Sequence, residues 1–418
     1  MSSETLDHRG RPVVAVTGMG IKCPAGLTVD EAWASMLAAE SKAARITRFD
    51  PSPLSVQFAC ELTSFDASEY FDVKEIRRVD RCTQFAVGAA TDAIADAGEL
   101  GADPARVGVI AASGVGGLET FMDQFETYFT KGPDRVSPFF IPMMMPNASA
   151  GTISIRNGFT GPALCVATAC AAGTNGIGEA VRMIQNGTCD AMVAGGTEAA
   201  IVPMALAAFG RMGALSKRND SPTTASRPFA ADRDGFVMGE GAAFFVLERL
   251  DHAQARGARI YGTVAGYGAN SDAHHITAPS PEGTGATSCI QSALDDAGLS
   301  ATDIGHINAH GTSTPLNDAA EAEAVAKVFG ERSVPVTSNK GVIGHLVAGA
   351  GAVEAVIAMK SAYEGVVPPT ANTDACDPEL AIDLVTGTAR EITKGKAVLS
   401  NSFGFGGHNA SIVLVPQV

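Results

Sequence analysis

Ala93-Ile94-Ala95-Asp96-Ala97-Gly98 and Ala293-Leu294-Asp295-Asp296-Ala297-Gly298 decide the fold. Each reads as a helix end closed by D-A-G. Each leads into a short apolar strand, Val107–Ala112 after the first and Ile304–Asn308 after the second. Self-similarity at a period of roughly 200 residues indicates a duplicated unit. Strand and helix alternate in both halves, so sheets covered by helices, an α/β fold, are expected. At 418 residues the chain also exceeds the ~250–300 that one core supports, which calls for two core units. The boundary falls near residues 251–260 and gives halves 1–255 and 256–418.

Outward from the first echo, residues 13–18 (V-V-A-V-T-G) predict a buried opening strand. Gly18-Met19-Gly20 begins like a dinucleotide fingerprint. Ile21-Lys22-Cys23-Pro24 follow without a third glycine or a helix start, which excludes that kind of site. Residues 29–39 predict a helix capped by Asp30. Residues 71–97 predict a long helix whose Lys74, Arg77, Arg78 and Arg81 form one basic stripe. Such a stripe is either a solvated face or the landing site of an acidic partner. Met143, Met144 and Met145 suit an adaptable apolar pocket and core filling equally. Residues 190–196 and 241–248 read as strands, and 209–234 as a charged, irregular excursion.

One stretch of the first half stands out chemically: Val166-Ala167-Thr168-Ala169-Cys170-Ala171-Ala172-Gly173. Val166 and Ala167 read as the end of a buried strand. Ile177, Ala180, Val181 and Ile184 then recur at helical spacing. Cys170 is thus predicted at a helix N-terminus, where free N–H groups and the helix dipole favour thiolate. The competing reading is a cysteine that merely packs.

Composition narrows the function. A net charge of −15 argues against nucleic acid as a partner and requires any acidic partner to use a local basic patch. The eight cysteines show neither C-x-x-C pairs nor zinc spacing, so no metal site is expected and a reducing, cytoplasmic setting is. Residues 1–11 lack an apolar signal core, and no run approaches the ~18 apolar residues of a membrane span.

The second half carries three polar clusters after strands: N-A-H-G-T-S-T-P at 308–315, S-N-K-G-V-I-G-H at 338–345 and N-S-F-G-F-G-G-H at 401–408. Loops beyond strand ends are where α/β folds bind ligands. Two histidines, with a lysine five residues before one of them, weaken a purely structural role. These clusters, V-A-T-A-C-A-A-G around Cys170, A-G-A-G-A-V-E-A ending near Glu354 and R-P-F-A-A-D-R-D-G-F-V-M-G-E-G-A from 227 resemble the β-ketoacyl-[acyl-carrier-protein] synthase family, its synthase II branch above all. The similarity runs over residues 13–414.

That resemblance implies a thiolase-like duplicated fold, a five-layer α-β-α-β-α stack with two mixed β-sheets, acting as a homodimer. It implies a decarboxylative Claisen condensation, in which acyl-carrier protein loads a cysteine and malonyl-carrier protein supplies the second unit. No cofactor of the enzyme's own is implied, since phosphopantetheine arrives on the carrier. By matched position, Cys170 is the nucleophile, and the N–H groups of Cys170 and Phe405 are the oxyanion hole. His310 and His345 bind the malonyl thioester carbonyl, and Lys340 with Glu354 organises the site. Thr312 and Thr314 face the pantetheine arm, while Val115 and Phe209 line the acyl tunnel. Phe405, flanked by Gly404 and Gly406, is a gate whose partner loop holds Asp272, His275 and Thr277. Carrier docking falls to Lys74, Arg77, Arg78, Lys131, Arg135 and Arg211. Asp134 and Gly213 stand where better-known members carry basic residues, which points to a shifted docking patch. The main alternative is the ketosynthase subunit of a type II polyketide or specialised lipid pathway. A chain-length-factor-like partner would lack Cys170, and a coenzyme A thiolase would need a second catalytic cysteine that Cys376 does not match. A pure binding module would leave the Cys–His–His–Lys set unexplained.

Overall fold

Neighbouring residues of the central strands are apolar in both parities, so each strand needs cover on two faces. The computed structural model, which describes residues 5–417, supplies that cover in both halves. The first half runs β1 (Val14–Lys22), α1 (Arg81–Ala97), β2 (Val107–Ala112), α2 (Leu118–Lys131), β3 (Ala163–Leu164), α3 (Ala172–Gln185), β4 (Ala191–Glu198), α4 (Pro203–Met212) and β5 (Gly241–Arg249). The second half runs β6 (Gly262–Ser271), α5 (Thr284–Ala297), β7 (Ile304–Asn308), α6 (Pro315–Phe329), β8 (Pro335–Thr337), α7 (Ala350–Glu364), β9 (Asp383–Leu384), β10 (Ala397–Gly404) and β11 (His408–Pro416).

Val109, Val193, Phe244 and Val246 pack with α1, whereas Ile110, Met192, Ala194, Phe245 and Leu247 pack with α3 and α7. The second half alternates likewise. Ile307, Leu399 and Val413 join α5, and Val398, Ile412 and Leu414 join α7. With α3 and α7 packed on each other, the layers are α1, sheet, α3 with α7, sheet, α5, the expected five-layer stack.

Strand order is β3-β2-β4-β5-β1 in the first half and β9-β8-β7-β10-β11-β6 in the second. From β1 and from β6 outward, both sheets pair antiparallel, antiparallel, parallel, parallel, and the second adds a further parallel pair, β8 with β9. The two mixed sheets join edge to edge through β1 and β6, Ala15↔Thr263 and Val16↔Gly262, into one continuous order of eleven strands.

The D-A-G echo has a physical cause. Asp96 accepts the Met19 N–H at 3.0 Å, and Asp296 accepts the Tyr267 N–H at 3.1 Å. Both N–H groups lie just past a β-bulge, in β1 and at the matching point of β6. Gly18 and Gly266 let helix and strand approach there, since a Cβ would stand 2.1 Å from the Ala93 oxygen and 2.3 Å from that of Ala293. The same aspartates tie the halves together: Arg11 reaches Asp296 at 2.8 Å and Arg259 reaches Asp96 at 3.1 Å.

Several local expectations are corrected. Val166 and Ala167 end no buried strand; the strand is β3, two exposed residues at the sheet edge, paired only to Val109 and Ile110. Thr28, not Asp30, caps the short helix Val29–Leu37 that lies between β1 and α1, in a reciprocal box with Glu31. Residues 71–97 are not one helix. Asp72 caps a four-residue helix (Val73–Ile76), and Asp80 accepts the Cys82 N–H at 2.9 Å to start α1 afresh. Arg81 therefore turns inward to Glu240 at 2.8 Å, leaving Lys74, Arg77 and Arg78 exposed without it. The excursion at 209–234 begins as the last turn of α4, which Gly213 ends with φ +76°. Among the described residues no helix is long and apolar enough to cross a membrane.

Candidate active site

A 3-10 turn, Ala169–Ala171, leads into α3, with Cys170 at its centre. Ala169 has φ +50°, a region L residues seldom occupy. Gly404 of β10 packs on this turn, where a Cβ would lie 3.0 Å from both Cys170 N and Thr168 O. The helix start does not yield the expected thiolate. Burial pushes the Cys170 thiol up to about 11, against the pull of Lys340 and of the Phe405 and Cys170 N–H groups directed at the sulfur. Helix-end fields are worth only ~0.3–2 kcal/mol, and the apolar surroundings outweigh them.

The two imidazoles are set by their Nδ1 atoms. Lys340 Nζ lies 3.3 Å from His310 Nδ1 and donates to the His310 carbonyl at 2.6 Å. An ammonium has no acceptor capacity, so Nδ1 accepts and the proton resides on Nε2. His345 Nδ1 accepts the Val347 N–H at 3.2 Å, which assigns the same tautomer. The rings are 5.2 Å apart at 84°. Burial first, and Lys340 second, hold both far below the usual imidazole value, so both are neutral N–H donors. Lys340 is fully buried and paired with Glu354, whose carboxyl burial pushes up to about 7 against the pull of that ammonium.

A cavity of about 530 Å³ joins these groups, with walls from both halves. Of the residues singled out from sequence, Val115, Cys170, Phe209, Asp272, Thr277, His310, Thr312, Thr314, His345, Gly404 and Phe405 line it. Lys340 and Glu354 stand behind His310 instead. Thr312 and Thr314 share a hydrogen bond of 2.9 Å. The two loops expected to form a gate touch, since Gly406 N–H donates to Ile276 O at 2.8 Å and Asp272 N–H to Gly407 O at 2.8 Å. His275 is off the cavity wall, its Nδ1 accepting the Thr277 and Ala278 N–H groups at 3.1 Å. Lys74, Arg77, Arg78, Lys131, Arg135 and Arg211 are exposed and outside the lining, although Arg211 adjoins Met212, which is part of it. Met143, Met144 and Met145 are also outside it.

Sequence reading missed Glu321 and Glu198. Glu321, on α6, accepts the His310 and Gly311 N–H groups at 2.8 Å each. A buried D-x-x-E on one helix face, Asp318 and Glu321, was its available signal. Glu198, at the end of β4, accepts Ser113 Oγ at 3.0 Å and Gly114 N–H at 2.8 Å, and burial pushes it up to about 7. Among the described residues no cluster of three His, Cys, Asp or Glu side chains is arranged to hold a metal.

A thiol, two neutral imidazole donors and converging backbone N–H groups on a duplicated α/β scaffold define a condensing-enzyme type of site, suited to thioester chemistry. The chain belongs to the β-ketoacyl synthase family: the N-terminal domain model of that family matches residues 11–253 and the C-terminal domain model residues 261–374. It is 48% identical to the 3-oxoacyl-[acyl-carrier-protein] synthase 2 of Synechocystis over 96% of its own length and 97% of that protein. Among solved structures it resembles the ishigamide ketosynthase/chain length factor at TM-score 0.91 and 33% identity, covering 98% of this chain and 100% of that one. A type II PKS ketosynthase bound to the hexaketide, in complex with its acyl-carrier protein, is similar at TM-score 0.90 and 29% identity, with coverage of 98% and 100%.

Proposed function

We propose that the protein is a 3-oxoacyl-[acyl-carrier-protein] synthase that elongates fatty-acyl chains in the cytoplasm. The first half, residues 1–255, holds the nucleophile, and the second, 256–418, holds the two histidines and the lysine. The observation that carries this reading is one cavity shared by a thiol and two imidazoles with both Nδ1 atoms occupied.

Cys170 attacks the acyl-carrier thioester and forms an acyl-enzyme; its proton leaves with the carrier thiol. The N–H groups of Cys170 and Phe405 hold the oxyanion of the tetrahedral intermediate. Malonyl-carrier protein then enters, its thioester carbonyl accepting Nε2–H from His310 and His345. Loss of CO2 leaves an enolate whose oxygen those two donors stabilise. Its carbon attacks the Cys170 thioester, expels the thiolate, and one proton from solvent restores the thiol. Lys340 and Glu354 keep the His310 proton on Nε2 throughout. Thr312 and Thr314 contact the pantetheine arm; Phe405 gates the cavity against the loop of Asp272, His275 and Thr277. Val115 and Phe209 bound the acyl chain.

Carrier protein docks at Lys74, Arg77, Arg78, Lys131, Arg135 and Arg211. An exposed aromatic row on α2, with Phe125 at 53% and Phe129 at 68%, and the bare edge strand β3 support a homodimer. Polyketide ketosynthase work is the second reading, favoured by the structural neighbours; the higher identity to synthase 2 supports the first. Mass spectrometry after incubation with acyl-carrier protein tests the proposal. A thioester on Cys170, absent from Cys170→Ala, is expected, and an equal adduct on both proteins would overturn it.

A further inference from the structure

The turn before Cys170 is backbone-strained at Ala169, and such a conformation persists only where its surroundings over-determine it. A polar chain braces it. Asn175, the fourth residue of α3, donates Nδ2–H to Thr168 Oγ1 at 2.7 Å. Its Oδ1 accepts the Tyr267 hydroxyl at 2.6 Å, with Glu179 Oε1 a more distant acceptor at 3.3 Å. Tyr267 comes from β6, in the other half. Its backbone N–H is the one held by Asp296, and its ring is seated on Gly178, where a Cβ would meet it at 2.4 Å. The Arg182 guanidinium covers the ring at 4.5 Å.

The duplication provides an internal control. A matching 3-10 turn, Val347–Gly349, precedes α7, and its first residue also has φ +50°. The counterpart of Tyr267, just past the bulge of β1 in the first half, is Met19, and the fourth residue of α7 is Val353. Neither side chain has a hydrogen-bonding group that could form such a chain. The Tyr–Asn–Thr chain is present only on the turn that carries the thiol.

We propose that Tyr267 and Asn175 are positioning residues for Cys170, holding Thr168 so that the sulfur and the Cys170 N–H keep the geometry acyl transfer needs. The inference rests on the reading of Cys170 as acyl acceptor. It implies that acylation depends on this chain whereas malonyl decarboxylation, which uses the imidazoles, does not.

The test follows single-turnover transfer from hexanoyl-carrier protein to Cys170 by intact-protein mass spectrometry, with CO2 release from malonyl-carrier protein measured in parallel. Asn175→Ala and Thr168→Val are expected to slow saturated acylation by ~10- to 100-fold, the scale of a small misplacement of a reacting group. Half-saturation by the carrier and CO2 release should stay within about twofold. Tyr267→Phe, which keeps the ring and its packing, should slow acylation by roughly 3- to 5-fold, and Thr168→Ser should restore the rate lost in Thr168→Val. Tyr267→Phe and Asn175→Ala acylating as fast as wild type would overturn the inference, as would an equal fall in both half-reactions. Wild-type protein that accepts no acyl group would overturn the functional reading instead.

Discussion

Two turns sit back to back at the centre of the molecule, Ala169–Ala171 before α3 and Val347–Gly349 before α7. Each opens with a residue at φ +50° and releases a helix whose second residue is glycine, Gly173 and Gly351. Those glycines permit the close crossing: a Cβ on Gly173 would lie 2.6 Å from Ala348 O. The backbones are copies, but the side chains are not. The first turn carries Cys170 where the second has Ala348. The second is braced by His345, whose Nδ1 takes the Val347 N–H, while the first is braced by Asn175 through Thr168. Duplication thus supplies two strained turns, and divergence gives one a thiol and the other a bracing imidazole, the proposed nucleophile and N–H donor. Neither half alone makes the site, because the cavity needs both walls.

Four measurements would break or sharpen this comparison. The largest effect is expected from Lys340→Met. It strips His310 of the donor that fixes its tautomer and should lower decarboxylation by ~10²–10³-fold. It also leaves the Glu354 carboxyl buried without its cation, costing about 3–5 kcal/mol by denaturant unfolding. Unchanged decarboxylation would mean that His310 is held in its tautomer without the lysine.

Next come Gly18→Ala and Gly266→Ala, each of which drives a methyl into a helix carbonyl. Each should cost at least ~1–3 kcal/mol, and the two costs should agree within about 1 kcal/mol if the halves are equivalent. A loss confined to one would show that the scaffold has diverged as well as its cargo. A smaller effect concerns the thiol. Because its value is raised to about 11, less thiolate is present at any given pH than in free cysteine. Iodoacetamide alkylation of Cys170 should keep rising above about pH 9, where a thiol near the usual ~8.5 would level off. The smallest effect is expected from Arg259→Ala. Its pair with Asp96 is exposed and should contribute no more than ~1 kcal/mol, less than Arg11, which also grips Asp7.

How far the residues announce all this depends on the range of each interaction. The D-A-G echo and the helix after Cys170 are local, so spacing alone reveals them. The break at Asp80 is also local, yet its cap hides among charges that keep a helical period across it. The Cys170 environment is not local: Phe403, Gly404 and Phe405 of the second half close around the sulfur, and a helix-end argument misses that. The Tyr267–Asn175 chain joins side chains from distant elements, which no spacing connects. The exposure of β3 follows from its being an edge, a property of sheet order and not of its own residues.

The most direct test separates the two half-reactions by side chain. Cys170→Ala and the His310→Ala, His345→Ala double variant are each given hexanoyl-carrier protein and malonyl-carrier protein separately. Cys170→Ala should take no acyl group yet still release CO2 from malonyl-carrier protein, while the double histidine variant should accept the acyl group and release none. Loss of both half-reactions in both variants, or decarboxylation at the wild-type rate without the histidines, would contradict the division of chemistry between Cys170 and the two imidazoles.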